Sequence, residues 1–528
     1  MNKQLVLLIL LLYSSIAFSQ LSSEEAARKF GTLLKLIDKT YVDSSNQEKL
    51  VETAIVSMLK EMDPHSVYIS KEDLKKMNEP LVGNFEGIGI QFNIFKDTIM
   101  VVSPISGGPS ESLGIISGDR IVKIEGENVA GIGIKNQDVM DKLRGEKGSK
   151  VTISIKRRGI VDLIDFTITR DKIPIFSIDA AYMATPEIGY IKINRFAATT
   201  MKEFDEGLTK LKKQGMKDLI LDLRGNSGGY LSTAIKLADE FLPSRKLIVY
   251  TEGRSFPKDE KYATSLGDLE EGKVVVLINE GSASASEIVS GAIQDHDRGL
   301  VIGRRSFGKG LVQKPYSLPD GSAVRLTISR YYTPTGRCIQ KPYEDGNKEY
   351  QKDISKRLES GELFNQDSID FPDSLKYTTP NGRIVYGGGG IMPDIFTPLD
   401  TTMNSNYYSD ISRKGIFNRF SIDYMDKNRK QLSKRYKTLE AFKNEFLVDE
   451  KLIENFKSFA AKEGVEFIGE DFITSEKLIK NQLKAMLARG IWKTEGYYYI
   501  INELSDPYLE AIRVLQDDTF EKMNLNTN

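Results

Sequence analysis

The chain has 528 residues, which is too long for a single hydrophobic core and therefore predicts several domains. Its 73 basic and 74 acidic residues leave a net charge of −1, which argues against a nucleic-acid partner. Cys338 is the single cysteine, so an intrachain disulfide is excluded. With only 2 histidines beside it, the composition offers no convincing transition-metal site.

Residues 1–20 have the pattern of an export signal. Lys3 precedes an apolar run over 5–12, and small and polar residues follow as far as Ser19. The pattern predicts a secretory signal peptide over 1–19, cleaved after Ser19. The apolar run is too short for a comfortable membrane anchor, so we expect an exported protein in the periplasm or outside the cell.

Residues 20–80 have a helical pattern. Ser22 and Glu25 have the spacing of a capping box at a helix start. Apolar side chains then recur at helical spacing, at Phe30, Leu33, Leu34 and Ile37. We expect an N-terminal helical segment before the first β-rich region.

Residues 82–170 combine glycine turns with short strand patterns. Glycine-rich segments at 85–92, 114–121 and 143–151 occur in the order typical of a bacterial PDZ domain, which the region resembles. Ile116 and Ser117 depart from the commoner Arg-Pro at one turn. The resemblance implies that a loop binds the C-terminal carboxylate of a protein, whose tail adds as a strand. The residues of that loop are Gly87, Ile88, Gly89 and Ile90.

Strand and helix patterns alternate from 218 to 303, which predicts a parallel sheet with helical crossovers. The apolar run 218–223 continues into a glycine-rich turn that ends at Gly228 and Gly229. Glycines between a strand and a helix free N–H groups to point at an anion. An ordinary tight turn is the alternative interpretation.

A second apolar run, over 274–278, is followed by small residues and then a helical pattern. Three serines lie in this turn, Ser282, Ser284 and Ser286. A serine at a strand-to-helix turn is held out of the sheet beside backbone N–H groups. Its hydroxyl becomes a good nucleophile only when a neighbouring base takes the proton.

The base is less obvious, because the usual candidate is histidine. His65 lies far upstream, and His296 lies in a polar stretch at a predicted helix end. Lys309 lies between two glycines, and a lysine can act as the base if burial lowers its pKa.

The segments 281–288 and 306–313 resemble the active-site signature of the carboxyl-terminal processing proteases, also called tail-specific proteases. The resemblance implies that Ser284 is the nucleophile, that Lys309 is the general base and that Gln313 orients the lysine. Ser282 and Ser286 are the runner-up nucleophiles, with turn and cap hydrogen bonding as the alternative role.

The Asp-Leu-Arg-x-Asn-x-Gly-Gly pattern that ends at Gly229 also occurs in this family. The resemblance implies an oxyanion hole formed by the N–H groups of Gly229 and Ala285, with Gly228 as the alternative donor. Arg120 would link the PDZ domain to the protease core, and a surface salt bridge is equally expected. By resemblance, 171–398 forms a crotonase-like α/β core in which the polar stretch 340–379 is an insertion.

Residues 399–528 resemble nothing specific, but their apolar spacing is helical. One predicted helix carries Ile479, Leu483 and Leu487 and stops at Gly490. Since no catalytic signature is present, we expect dimerisation or partner docking from this region.

The expected protein is a multidomain α/β serine protease. It has a crotonase-like core, a PDZ domain, N-terminal helices and a C-terminal helical region. We expect an exported endopeptidase that binds protein tails and cleaves them through a Ser-Lys dyad and an acyl-enzyme, without metal or other cofactor. The expected partners are proteins with unstructured apolar tails, an adaptor or regulatory protein, and a second copy of the chain. The alternative is a PDZ adaptor with a vestigial core.

Overall fold

The computed structural model of the protein describes residues 21–369 and 372–525. The chain divides into two compact units, Met1–Tyr68 and Ile69–Asn528. The predicted signal peptide over 1–19 lies outside the described residues. Across the two described ranges, no helix is both long and apolar enough to cross a membrane.

The N-terminal unit is helical, as expected. Its elements are α1 (Ser23–Thr40) and α2 (Gln47–Lys60), followed at the junction of the units by β1 (Val67–Ile69). The predicted capping box is confirmed: the Glu25 N–H donates to Ser22 Oγ at 3.3 Å, and the Ser22 N–H donates to Glu25 Oε2 at 2.9 Å. Helix α1, which is described throughout, buries none of its residues, and Leu33 and Leu36 are each 52% exposed.

The second unit begins with the PDZ domain. Its elements are α3 (Lys71–Val82), β2 (Asn84–Gly87), β3 (Ile90–Ile94), β4 (Ile99–Pro104), α4 (Pro109–Ser112), β5 (Arg120–Ile124), β6 (Glu127–Asn128), α5 (Asn136–Leu143), β7 (Lys150–Lys156) and β8 (Ile164–Thr169). The sheet is antiparallel in the order β3-β4-β5-β7-β8, with β6 beside β5. Alternate residues point to its apolar core, among them the fully buried Val101, Ile121 and Ile153. Because β3 is the first strand in this order, it lies at an edge of the sheet.

A two-stranded ribbon joins the PDZ domain to the protease core, because β2 pairs with β9 (Asp171–Pro174). The core contains β10 (Ile178–Met183), β11 (Ile188–Ile193), α6 (Thr200–Lys213), β12 (Asp218–Asp222), α7 (Leu231–Asp239), β13 (Leu247–Gly253), β14 (Phe256–Tyr262), β15 (Val274–Ile278), α8 (Ala285–Asp295), β16 (Leu300–Gly303), β17 (Leu311–Ser317), β18 (Ala323–Tyr332), α9 (Asn347–Gln351), α10 (Asp353–Glu359), β19 (Lys376–Thr378), β20 (Ile384–Tyr386) and β21 (Ile395–Phe396).

The main sheet of this core has the order β10-β11-β12-β15-β16-β21. All its strand pairs are parallel except β10 with β11, which confirms the predicted parallel sheet with helical crossovers. A second, antiparallel sheet pairs β17 with β18, β18 with β13 and β13 with β14. The fold class expected from the sequence is thus confirmed.

Different parts of the chain cover the two faces of the main sheet. Helices α6, α7 and α8 cover one face through residues such as Phe204, Leu237 and Val289. The other face is covered by α16 (Asp506–Gln516) and α17 (Thr519–Lys522), with Val514 and Phe520 fully buried. The last part of the chain therefore completes the protease core, instead of belonging to a separate C-terminal domain.

The remaining C-terminal helices form their own aromatic-rich core. They are α11 (Asn406–Arg413), α12 (Ile416–Arg435), α13 (Leu439–Glu445), α14 (Glu450–Lys462) and α15 (Gly469–Ile501). The predicted helix stop at Gly490 falls two residues early, because α15 passes through Gly490 and leaves helical geometry at Trp492 and Lys493, where it is broken before continuing to Ile501. A Cβ at Gly490 would lie 2.9 Å from Met425, so this glycine allows α12 and α15 to approach closely.

Candidate active site

Ser284 lies at the end of the turn between β15 and α8. Strand β15 is buried throughout, so the turn marks the point where the chain leaves the sheet. Ser284 has φ 54° and ψ −110°, an unusual conformation for a residue with a side chain. Its side chain is partly exposed. A strained turn of this kind presents a serine hydroxyl above the sheet beside the start of a helix.

The two runner-up serines have structural partners. Ser282 and Ser286 are fully buried. The Ser282 hydroxyl donates to the carbonyl oxygen of Leu223 at 2.9 Å, and the Ser286 hydroxyl donates to that of Asn226 at 2.8 Å. Both hydroxyls therefore fix the serine turn to the glycine-rich turn that follows β12, and Ser284 is the accessible serine of the three.

The glycine-rich turn is anchored by Asp222, which is fully buried at the end of β12. Its carboxylate accepts hydrogen bonds from the Tyr190 hydroxyl at 2.7 Å and from the Arg224 N–H at 2.9 Å, and it pairs with Lys192 at 3.2 Å. Burial opposes ionisation, but Arg224 and Lys192 hold the pKa of Asp222 below its ordinary value. The start of the turn is therefore a fixed, charge-balanced corner.

The end of the turn lies against Ser284. A Cβ at Gly228 would lie 2.9 Å from Ser284 Cβ and 3.1 Å from the Ala285 nitrogen, so only glycine allows this approach. The Gly228 N–H donates to Asn226 Oδ1 at 2.9 Å. By contrast, no described residue accepts a hydrogen bond from the N–H of Gly229 or from that of Ala285. Two N–H groups thus remain available beside the serine.

Glu287 connects the serine turn to the segment that carries Lys309. Its carboxylate is fully buried one turn into α8. Oε2 accepts hydrogen bonds from the N–H groups of Ser284 at 2.7 Å and of Lys309 at 2.9 Å. Oε1 accepts from the Gly308 N–H at 2.7 Å and from the Ser306 hydroxyl at 2.5 Å. Burial raises the pKa of Glu287, whereas these donors oppose the increase.

Tyr331 provides a second link between the two segments. Its ring is buried on β18, and burial raises the pKa of its hydroxyl well above the ordinary value. Tyr331 Oη lies 2.5 Å from the carbonyl oxygen of Lys309 and 3.2 Å from that of Ser284. Neither Glu287 nor Tyr331 is among the site residues expected from the sequence. The available signal for Glu287 is an acidic residue in the first turn of a helix whose next six residues are all apolar or small.

The segment 306–310 has no regular secondary structure, yet each of its backbone groups is paired. Its N–H groups donate, in chain order, to Ile391 O, Ser282 O, Glu287 Oε1, Glu287 Oε2 and Gln340 Oε1. Its carbonyl oxygens accept, in the same order, from Arg357 Nη1, Arg357 Nη2, the Lys341 N–H, Tyr331 Oη and the Tyr331 N–H. Complete pairing fixes the backbone of Lys309 as firmly as a strand would.

Gln313 lies on β17, which begins directly after this segment. Its side-chain amide donates to the Thr327 hydroxyl at 3.4 Å across the β17–β18 hairpin. Its expected contact with Lys309 stays a prediction.

His296 lies at the far end of α8 from the serine. The helix has 11 residues, which places His296 about 17 Å away along its axis. His296 Nε2 lies 2.7 Å from the Leu247 carbonyl oxygen, to which it donates. His65 belongs to the N-terminal unit, where its N–H donates to Asp63. The distance argues against His296 as the base.

The expected tail-binding residues of the PDZ domain run from the end of β2 to the start of β3. Gly87, Ile88 and Gly89 are buried, and Ile90 begins the edge strand. Arg120 contacts the C-terminal helices: its guanidinium lies 3.4 Å from Asp426 on α12. Nearby, Arg429 donates to the Ser117 hydroxyl at 2.6 Å. Arg120 therefore joins the PDZ domain to α12, whereas the sequence suggested a link to the protease core.

A serine at a strained strand-to-helix turn, open N–H groups beside it and a neighbouring PDZ domain define the class of a PDZ-containing serine peptidase. Family models match this chain as peptidase family S41 over 187–349 and as a PDZ domain over 100–157. Two further family models match this chain. The model of the activating protease CtpB N-terminal domain matches residues 14–73, and that of DUF8443, a family of unknown function, matches residues 407–493.

Several known proteins are similar to this chain over most of their length. A carboxy-terminal-processing protease of Bartonella bacilliformis is 37% identical over 338 residues, which are 63% of this chain and 77% of that protein. The carboxy-terminal processing protease CtpA of Bacillus subtilis is 36% identical over 62% of this chain and 70% of its own length. The solved photosystem II D1 C-terminal processing protease is 26% identical over 72% of this chain and 95% of its own, with a TM-score of 0.37.

The chain belongs to the carboxy-terminal-processing proteases of peptidase family S41. It is thus a serine-type peptidase whose family cleaves the C-terminal tails of proteins.

His296 allows a test by pH. Burial lowers the pKa of His296, and its hydrogen bond to Leu247 opposes this shift. The unfolded chain therefore binds the proton at a higher pH than the folded chain does. Hence the free energy of unfolding falls as pH drops below about 6.5, by at most about 1.4 kcal/mol per pH unit.

We expect His296→Gln to reduce the decrease in the free energy of unfolding at acidic pH, because glutamine does not titrate. Peptidase activity should be unchanged, and glutamine still offers a donor to the Leu247 carbonyl oxygen. Urea unfolding at neutral and mildly acidic pH measures the first effect, and a tail-cleavage assay measures the second. Loss of activity in a stably folded variant would restore His296 as a candidate base.

Proposed function

We propose that Ser284 and Lys309 form the catalytic dyad of this peptidase. The observation that supports the proposal is the Glu287 carboxylate, which accepts hydrogen bonds from the N–H groups of both residues. Two residues whose backbones share one buried anchor keep a fixed separation, as proton transfer from a nucleophile to its base requires. The complete pairing of 306–310 supports the same role for Lys309.

The proposed reaction runs in two stages. Ser284 Oγ attacks the carbonyl carbon of the scissile peptide bond while its proton moves to the Lys309 amine. The tetrahedral intermediate collapses to an acyl-enzyme as Lys309 passes that proton to the leaving amine. Lys309 then takes a proton from a water molecule, whose oxygen attacks the carbonyl carbon of the ester. As this second tetrahedral intermediate collapses, the bond to Ser284 Oγ breaks, Lys309 returns the proton to that oxygen, and the acid product leaves. The proposal includes Gln313 as the residue that orients the Lys309 amine.

The negative oxygen of each intermediate needs donors. We propose the N–H groups of Gly229 and Ala285, because neither has an acceptor among the described residues. Gly228 is the weaker choice, since its N–H already donates to Asn226. Each such donor is typically worth about 3 kcal/mol of transition-state stabilisation.

The dyad is tested by substitution. We expect Ser284→Ala and Lys309→Met each to lower kcat/KM for an unstructured tail substrate by roughly 10⁴-fold, because either change removes proton transfer from the nucleophile. Lys314→Met is the matched control, since Lys314 is an exposed lysine on β17. Thermal unfolding should be similar in all three. Residual cleavage by Lys309→Met near the wild-type rate would refute the dyad, and an inactive but tail-binding wild type would favour the adaptor alternative.

We propose that the PDZ domain selects substrates by their C-terminal carboxylate. Strand β3 lies at an edge of its sheet, so its outer backbone groups are suited to pair with an added strand. The segment 87–90, which runs from the end of β2 to the start of β3, has glycine at two of its four positions, and its N–H groups are the proposed carboxylate donors. The substrates would be proteins with unstructured tails that end in apolar residues.

Tail amidation tests this selection. A C-terminal amide lacks the charge that strengthens hydrogen bonds from N–H donors, a difference worth about 1.5–3 kcal/mol. We therefore expect KM to rise about tenfold or more on amidation, with kcat little changed. The control is a substrate in which an internal carboxylate is replaced by its amide. Equal KM values for the acid and the amide would contradict recognition by the PDZ domain.

We further propose that the mature protein is exported and dimeric. The pattern of residues 1–19 supports export. The exposed apolar side chains of α1, among them Leu33 and Leu36, support association of two copies. Protein sequencing of material from the periplasm is expected to begin at Gln20, and light scattering is expected to give twice the chain mass. Cytoplasmic protein that keeps residues 1–19 would contradict export. A monomer at micromolar concentration would contradict dimerisation. An adaptor partner stays a prediction.

A further inference from the structure

The insertion expected over 340–379 contacts the segment that carries Lys309. Its helix α10 presents Arg357, which is 3% exposed. Arg357 Nη1 donates to the carbonyl oxygen of Ser306 at 2.8 Å, and Nη2 lies 3.3 Å from that of Phe307. A third carbonyl oxygen, that of Arg305, lies 3.4 Å from Nη1. One planar group thus contacts three successive carbonyl groups just before Lys309.

Burying this guanidinium is costly, and burial lowers the pKa of Arg357. The charge is balanced by Asp353 at 2.9 Å and by Glu362 at 3.8 Å. Glu362 also holds Arg305 in a two-point ion pair, at 2.6 and 2.5 Å. A hydrophobic residue at this position would fill the core without the desolvation cost of a charge. The guanidinium instead fixes the carbonyl groups of Ser306 and Phe307, which have no hydrogen-bond partner in a strand or helix.

A second cation of the insertion, Lys341, supports the same segment. Lys341 is 4% exposed and lies between two aromatic rings, 3.8 Å from the centre of Phe307 and 4.2 Å from that of Tyr350. Its amine pairs with Asp353 at 3.0 Å, and its backbone N–H donates to the Gly308 carbonyl oxygen at 3.0 Å. Asp353 therefore links the two buried cations, Lys341 and Arg357.

We propose that Arg357 is a positioning residue for the reaction: by holding the carbonyl groups of Ser306 and Phe307, it sets the place of the Lys309 amine relative to Ser284. The inference rests on the proposed role of Lys309. It assigns a function to the insertion, which carries no catalytic side chain of its own. A displacement of about 1 Å at a catalytic group can reduce a rate about 100-fold, so loss of the guanidinium should affect turnover more than substrate binding.

The test compares Arg357→Lys and Arg357→Ala with wild type on an unstructured tail substrate, from neutral to alkaline pH. We expect kcat to fall at least about tenfold in both variants, with KM within about twofold. The dependence of activity on pH should also change, because displacement of the Lys309 amine alters the groups that surround it. Added guanidinium at millimolar concentration should restore part of the activity of Arg357→Ala, whereas added methylammonium should not.

The matched control is Lys356→Met, next to Arg357 on α10. Lys356 lies on the outer side of the insertion, 56% exposed and paired with Glu349 at 2.8 Å, and its loss should change neither kcat nor the pH profile. Folded Arg357 variants with an unchanged kcat and pH profile would overturn the inference. It would also be overturned if their loss of activity were explained by a lower melting temperature and guanidinium restored none of it. Lys309→Met, run alongside, separates the two proposals. If it stays active, the proposed base and this inference both fail. If it is inactive while the Arg357 variants keep wild-type kinetics, only the inference fails.

Discussion

The site depends on one buried carboxylate, that of Glu287. Its two oxygens accept hydrogen bonds from Ser284, Ser306, Gly308 and Lys309. Without a hydrogen-bond acceptor here, each buried N–H would lose about 1–3 kcal/mol of solvation without compensation. A carboxylate satisfies all of them at once because both oxygens only accept. Its position in the first turn of α8 adds the favourable field of a helix N-terminus, and this offsets part of the cost of burying the charge.

A carboxylate can hold only the N–H side of the segment around Lys309, so the carbonyl side needs separate donors. These are three residues in two parts of the chain: Arg357 and Lys341 in the insertion, and Tyr331 on β18. The β17–β18 hairpin and the insertion therefore both contribute to the position of the proposed base, although neither carries the proposed nucleophile. This explains why a segment rich in glycine is ordered: it has conformational freedom in isolation, and its neighbours remove it.

The sequence was sufficient to predict those features of the fold and the site that depend on local sequence patterns. The apolar runs of β12 and β15, the glycine-rich turn and the serine turn follow from periodicity and turn chemistry. The roles of Glu287 and Arg357 could not be predicted in this way, because their partners are distant along the chain; Arg357 and Ser306 are 51 residues apart. The same limit applies to α16, whose apolar spacing indicates a buried face without indicating the protease sheet. Gly490 predicts the nearby break in α15 to within two residues, but its close packing against Met425 could not be predicted, because Met425 is distant along the chain.

The contacts that hold the PDZ domain differ in kind from those around Lys309. The Arg120–Asp426 pair has a distance of 3.4 Å, with Arg120 33% and Asp426 12% exposed. Ion pairs with this much solvent contact typically contribute about 0–1 kcal/mol. The groups that contact the backbone around Lys309, by contrast, are almost fully buried, and losing any one leaves an unpaired partner. The backbone around Lys309 is therefore held far more firmly than this ion pair holds the PDZ domain to α12, so a small displacement of the PDZ domain would leave the proposed base in place.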